Sequence, residues 1–414
     1  MAQPSFRRAL GLLTLTALGL NSVIGTGIFL TPGSLAATLN GWSILAFGLG
    51  GLLCYAIALC FAEMAARVPE TGGAYAYART TFGPLPGFLV GWVIWLSSVL
   101  GWAAVAAALA GQLHDRFGGS IQVLLLLVVV GLSVLNGLGA RAGAMSNAVL
   151  AAVKFIPLAV FVGWTVGRLR PISFHATSDW ATGALYILYT FSGFEEIPVP
   201  AGEVEDPQRT IPRALAWVLS LATVVYMVIQ AVVCGMGQAG SAAPLTDAAA
   251  GVPWLAAVVA GASLISMASV NASIAFTGPR SLWALAHERW RWVGLLHPRL
   301  ATPVRAIGVT ATLTLALAWN NTVDKLMALS ALASLLQYLP TVVAVMVWRR
   351  RTATARPAFL IPGGYAVPIL ALGVCLVLLA NCSGSDILGA AEALLVGLVL
   401  YPLLGRPLSH RPTD

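Results

Sequence analysis

Val23-Ile24-Gly25-Thr26-Gly27-Ile28-Phe29, followed by Pro32-Gly33, lies in the middle of an apolar run that begins at Ala9, just behind Arg7 and Arg8. Two glycines one residue apart make a poor helix sequence, each costing about 1 kcal/mol relative to alanine. The run around them is nevertheless long enough to cross a bilayer, which takes roughly 20 apolar residues. It is too long for the apolar core of a signal peptide, about 7–15 residues, and no small-x-small cleavage site with a soluble domain follows. The stretch reads as a retained membrane helix that is interrupted near its middle.

Similar runs recur along the whole chain. Of 414 residues, 58% are hydrophobic and 9% charged, with a mean hydropathy of +0.86, whereas soluble domains carry about 25% charged residues. So much apolar surface must face lipid. Apolar windows broken by turn residues and charge predict twelve spans, at 9–36, 40–66, 85–112, 121–138, 145–167, 181–201, 213–237, 252–286, 303–319, 323–348, 366–381 and 387–404. Helices are expected, because lipid cannot satisfy backbone polar groups and the runs are too long and too unalternating for barrel strands.

The basic residues orient these spans. With both termini cytoplasmic, eighteen Lys or Arg fall on the cytoplasmic side, among them Arg7, Arg8, Arg67, Arg141, Arg280 and Arg349. The other side holds four, Arg116, Arg168, Arg170 and Lys325, and Lys154 stays inside a span. Basic residues concentrate on the cytoplasmic side of membrane proteins, so the asymmetry supports both the orientation and the even count; the expected location is the inner membrane. The net charge of +8 is spread in short clusters and builds no basic face for nucleic acid. Cys54, Cys60, Cys234, Cys375 and Cys382 lie in or beside apolar spans, and the five histidines (114, 175, 287, 297 and 410) fall in loops or the tail. Neither set has metal-ligand spacing. The spans hold no Ser/His/Asp set, zinc motif or phosphate loop, so neither an enzyme nor a cofactor is expected.

The sixth span repeats the interruption: Tyr189-Thr190-Phe191-Ser192-Gly193-Phe194-Glu195, then Pro198 and Pro200. Proline inside a helix removes a hydrogen bond and clashes with the preceding turn. One reading of the glycines is close helix packing, although Gly25-x-Gly27 does not fit the four-residue repeat of packing motifs. The other is a binding site, because non-helical backbone at membrane depth must face protein or a water-filled cavity, and paired interruptions mark transporter sites. Unwinding frees N–H groups, which with the positive dipole end attract a carboxylate, and carbonyls, which accept from an ammonium. A free amino acid offers both groups.

Four segments carry a resemblance to a known family. They are Ile24-Gly25-Thr26-Gly27-Ile28-Phe29; Ala62-Glu63-Met64 through Pro69-Glu70-Thr71-Gly72-Gly73-Ala74-Tyr75 to Gly91-Trp92; Phe191-Ser192-Gly193-Phe194-Glu195 leading to Gly202-Glu203-Val204 and Asp206-Pro207-Gln208-Arg209; and Asn271-Ala272 to Gly278-Pro279-Arg280-Ser281-Leu282-Trp283. The chain resembles the amino acid–polyamine–organocation superfamily of permeases, especially its bacterial amino-acid permease branch. The resemblance implies a single all-α domain over 1–414, with a five-plus-five inverted repeat (9–167 and 181–348), broken first and sixth helices, and two additional helices at 366–404. It implies a substrate carboxylate on the N–H groups of Gly25, Thr26 and Gly27. The substrate ammonium would meet the carbonyls of Val23, Tyr189 and Ser192, beside Gly193, and the side-chain pocket would come from the third, sixth, eighth and tenth spans.

Lys154 lies well inside the fifth span, where a charge costs at least about 2.5–3.5 kcal/mol on insertion scales. It either snorkels to the interface or, as in similar permeases, stands in for a sodium ion and bridges to the broken first helix. Glu195 is read either as a carboxylate capping freed N–H groups or as a gating or proton-linked residue, and its neighbour Glu196 leaves open which of the two has that role. Glu63 and Glu392 are expected to be structural. The function implied is sodium-independent secondary transport of free amino acids, by exchange or with a proton. Neutral substrates are favoured because both carboxylates sit beside the backbone site. A transporter-like sensor or channel is the alternative.

Overall fold

The computed structural model describes residues 6–25, 27–175, 180–241, 243–287, 289–290, 292–351, 357–381 and 384–403; Thr26, Cys382 and His410, named above, lie outside them. The described residues form fifteen α-helices. In chain order these are α1 (Leu12–Val23), α2 (Gly27–Leu39), α3 (Trp42–Arg67), α4 (Ala74–Phe82), α5 (Pro84–Phe117), α6 (Ile121–Gly137), α7 (Ala140–Thr165) and α8 (Trp180–Phe191). After a non-helical stretch come α9 (Pro207–Gly235), α10 (Pro244–Ala249), α11 (Pro253–Ala286), α12 (Val304–Asn320), α13 (Val323–Arg351), α14 (Ala366–Ala380) and α15 (Gly384–Leu403). The only β feature among the described residues is an isolated parallel bridge between Leu10 and Val204.

Every predicted apolar span falls wholly or largely on helix. The first span is two helices, α1 and α2, parted at Ile24–Gly25, the interruption its glycines predict. Four details differ. The sixth span is helical only to Phe191; beyond it, Phe194–Glu196 and Ala201–Glu203 are short 3₁₀ turns, because Gly193 takes a left-handed φ of 112° and Pro198 and Pro200 deny a regular ladder its donors. Two short helices, α4 and α10, have no counterpart among the predicted spans. Arg280, placed with the cytoplasmic segments, lies within α11 and is fully buried, and His114 belongs to the last turn of α5.

Five stretches, α3, α5, Arg141–Arg168, α9 and α11, are long and apolar enough to cross a membrane; α1, α6, α14 and Ile387–Pro402 are shorter apolar helices. The outer helices turn large apolar side chains outward: Leu126, Leu127 and Val130 on α6, Ile369 and Val377 on α14, Leu395 and Val399 on α15. Contiguous exposed apolar surface of this extent belongs against lipid. Inside, α3 runs along α9, α5 along α11 and α13, and α7 along α1 and α11.

Buried charges tie the Arg-rich end together. Glu63, fully buried at the end of α3, accepts from Arg67 at 2.8 Å, from Arg349 of α13, and from the Ile361 amide at 3.2 Å before α14, which gives it the structural role expected of it. Glu392, by contrast, is exposed on α15. A second pair, Glu203 with Arg280, has no exposed side-chain surface and is bidentate at 2.6 and 2.9 Å. Arg280 also lies over the Phe276 ring, 3.4 Å from its centroid, and the Glu203 carbonyl accepts from the amides of Ala9 and Leu10.

Removing one member of such a pair leaves an uncompensated buried charge, at a cost of about 3–5 kcal/mol, whereas an apolar replacement of both is close to neutral. Glu203→Ala should therefore lower the melting temperature of the detergent-purified protein far more than the double variant Glu203→Leu/Arg280→Met; equal losses would mean that the unpaired guanidinium is not what destabilises. Gly193 makes a second test. A Cβ there would lie 2.6 Å from the Ser22 carbonyl oxygen and meet a positive φ, whereas one at Gly111 of α5 would touch nothing. Gly193→Ala should cost about 1–3 kcal/mol and Gly111→Ala should be neutral or slightly stabilising; comparable melting curves for the two would overturn the close approach of the two breaks.

Candidate functional site

The two interruptions meet. Gly193 packs on the backbone of Ser22, and an added Cβ at Gly27 would lie 3.2 Å from Cγ2 of Thr190. The Tyr226 hydroxyl of α9 sits between them, 2.7 Å from the Val23 carbonyl and 2.9 Å from that of Thr190, and can give its single proton to either. The Thr190 hydroxyl reaches Thr31 of α2 at 3.2 Å.

At the first break, carbonyls that α1 can no longer satisfy internally are met by side chains of other helices. Lys154 of α7 is fully buried. Its Nζ donates to the carbonyls of Leu20 at 3.1 Å and Ile24 at 2.7 Å and to Ser269 Oγ of α11 at 3.1 Å. The ammonium thus sits at the negative end of the α1 dipole and does not snorkel. Ser266 donates to the Gly25 carbonyl at 3.0 Å, and Ser273 to that of Leu18 at 3.2 Å.

Not every expected carboxylate donor is turned outward. The Gly25 amide donates to the Val23 carbonyl at 3.0 Å, so in this conformation it is committed within the chain. Gly27 is the first residue of α2, whose first-turn amides have no partner inside the helix. Tyr189 belongs to α8; its side chain lies outside the described residues.

A cavity of about 120 Å³ opens between the breaks. That is well above the roughly 10–15 Å³ that a single ordered water needs and is on the scale of a small solute. Ser22, Val23, Gly25 and Gly27 wall it from the first break, and Thr190, Ser192, Gly193, Glu195 and Glu196 from the second. The remaining wall comes from α5 (Ser97, Ser98, Gly101, Ala104 and Val105), α11 (Val270 and Ile274) and α13 (Ser330 and Ser334). These helices, with α8, are those formed by the third, sixth, eighth and tenth apolar spans.

Glu195 and Glu196 occupy a 3₁₀ turn, which at about three residues per turn points neighbours some 120° apart. Glu195 turns back and accepts the Gly193 amide on Oε2 at 2.9 Å. Glu196 turns toward α5, where Ser98 Oγ stands 3.4 Å from its Oε1. Sequence reasoning misses Tyr226, Ser266, Ser269 and the cavity serines of α5 and α13. Hydroxyls scattered through apolar helices have no distinguishing spacing, and only the fold brings them to one place. Among the described residues no cluster of His, Cys, Asp and Glu is arranged to hold a metal.

Residues 10–388 match the sequence profile of the family described as Amino acid permease. Among similar proteins, the branched-chain amino acid permease of Bacillus subtilis is 26% identical over 98% of this chain and 94% of its own length. Cationic amino acid transporter 4 of Homo sapiens is 30% identical over 84% of this chain and 60% of its own length. The serine/threonine exchanger of Bacillus subtilis is 26% identical over 96% of both. The chain belongs to the amino acid permease family of the amino acid–polyamine–organocation superfamily.

Proposed function

We propose that the protein is a secondary active amino-acid transporter working by alternating access, as a sodium-independent exchanger or a proton-linked permease, with twelve crossings of the inner membrane and both termini cytoplasmic. The observation that carries this reading is the pair of interrupted helices back to back in the wall of one cavity. The packing supports the five-plus-five inverted repeat. Exchanging the first five spans with the second five turns the α5–α13 contact into α11–α7 and the α1–α9 contact into α8–α3, and all four are present. The relatives named above are transporters of branched-chain amino acids, cationic amino acids, and serine or threonine, so their names favour amino acids as cargo without choosing among them.

In this reading the substrate carboxylate lies at the start of α2, on the amides of Thr26 and Gly27, with the Gly25 amide released from Val23 as it binds. The ammonium lies toward the carbonyls of Val23, Tyr189 and Ser192, with Gly193 allowing the close approach. Glu195, which holds the Gly193 amide, is the gating or proton-linked residue, because losing that bond frees the second break. Lys154 meets three oxygens, the kind of ligand set a sodium ion takes, and supplies a fixed positive charge there.

Counterflow of radiolabelled amino acids in proteoliposomes tests transport; binding without counterflow would favour a sensor. The carboxylate assignment predicts that amino-acid amides and decarboxylated amines compete at least about tenfold more weakly than the parent amino acid, as expected when a buried charge-assisted hydrogen bond is lost; equal competition would defeat it. The lysine assignment predicts equal uptake in sodium, potassium and choline. Lys154→Ala should lower turnover more than substrate affinity, because the ammonium biases the inward–outward equilibrium without touching substrate. Lys154→Arg should not fully rescue, since a planar guanidinium does not copy a compact point charge. Strict sodium dependence, or an Ala variant with wild-type rate and affinity, would overturn it.

A further inference from the structure

The cavity wall holds two carboxylates and, among its described lining residues, no Lys, Arg or His. The expectation of neutral substrates rests on both carboxylates sitting beside the backbone site, but only Glu195 accepts a backbone amide there. Glu195 caps the second break through the Gly193 amide. Glu196 has a long contact from Ser98, at 3.4 Å on Oε1, and the nearby Thr277 hydroxyl gives its proton to the Ser273 carbonyl at 3.1 Å. Glu196 Oε2 is sealed from solvent and has no hydrogen-bond partner. A buried carboxylate oxygen without a donor is an unfavourable arrangement unless something positive arrives, and other atoms of the half-buried Glu196 side chain line the cavity from which it could come.

From this we infer that Glu196 is the specificity-determining residue for a second positive charge, and that the substrates are cationic amino acids, with a side-chain ammonium or guanidinium received between Glu196 and Ser98. The inference rests on the transporter reading above and places the cationic group away from the α-carboxylate. The α-carboxylate stays at the start of α2, at the wall formed by Gly27 and Thr190, and the side chain runs across the cavity toward α5. The Ser97 and Ser330 hydroxyls donate to each other's backbone carbonyls at 2.9 and 3.0 Å, and Ser97 Oγ lies 3.1 Å from Ser334 Oγ, which gives that end a polar wall suited to a hydrated or multiply donating group. A zwitterion alone leaves the Glu196 charge uncompensated; a ligand with one further positive charge neutralises it.

The test compares L-lysine with L-norleucine, which has nearly the same shape without the terminal ammonium, as competitors for binding to the full-length protein in proteoliposomes, with arginine and cadaverine as further probes. The wild type should favour lysine over norleucine by roughly 30-fold or more, the scale of a buried charge pair. Glu196→Gln should collapse that ratio toward one, and Glu196→Asp should retain part of it; melting temperatures confirm that both variants fold. A wild type that favours norleucine overturns the inference. So does a Glu196→Gln protein that weakens both ligands equally with the ratio kept, the outcome expected if Glu196 serves the α-ammonium or carries a proton. Cadaverine binding as well as lysine, with the same dependence on Glu196, would uphold the role of Glu196 while defeating the carboxylate site. Loss of binding for every amino acid in the folded wild type would defeat both.

Discussion

Backbone carbonyls unwound inside a membrane protein must find donors, because lipid offers none, and the arrangement of this protein follows from how that demand is met at Leu20–Gly25. Lys154 comes from α7, Ser266 from α11, and Tyr226 from α9. Each helix that supplies a donor must pack against α1, and α7, α9 and α11 all do. The break is therefore not a weak point that the fold tolerates. It is the point on which three helices converge, and the opening beside it is the space that unwound backbone cannot fill.

The two breaks are satisfied by opposite charges. Past Val23 the exposed groups are carbonyls at the end of a helix, and a lysine meets them, as the sign of the helix dipole requires. Past Phe191 the chain turns through left-handed Gly193, the freed group is an amide, and a carboxylate, Glu195, receives it. Neither side chain needs to pair with the other, since each answers a local backbone demand. Among the described residues, the half-buried Glu196 meets neither a backbone donor nor a basic side chain, unlike Glu195, Glu63 and Glu203.

Much of this is legible in the residues. Apolar length locates each long helix, and Gly25-x-Gly27 locates the first interruption, because two glycines so close together weaken a helix interior and lack the spacing of a packing motif. Lys154 stands out because a lone charge deep in an apolar span needs a partner. The second interruption is visible too, but its downstream half reads as helix; apolar composition does not distinguish a helix from the 3₁₀ turns that Gly193, Pro198 and Pro200 impose. Helices α4 and α10 are too short to leave a hydropathy signal. Tyr226, Ser266, Ser269 and the serines of α5 and α13 are invisible because a hydroxyl costs little in an apolar helix and acquires meaning only from a neighbour distant in sequence.

The sequence segments that carry the family resemblance also acquire a physical reason. The Gly72 amide donates to the Val199 carbonyl at 2.9 Å, and Thr71 Oγ1 accepts from the Gly202 amide at 3.0 Å. Gly72 and Gly73 both take positive φ there, a conformation that glycine adopts without strain. Glu203 then pairs with Arg280 of α11 and holds the N-terminal residues Ala9 and Leu10 through its carbonyl. Segments far apart in sequence thus clamp one short strap, residues 197–205, immediately downstream of the second break. Any displacement of that strap relative to α11 must separate a fully buried ion pair, whereas α8, on the other side of Gly193, packs on α2 and α3 and is bound by no such pair among the described residues. The left-handed glycine is where a clamped segment joins an unclamped one, and it is also where the backbone touches the first break.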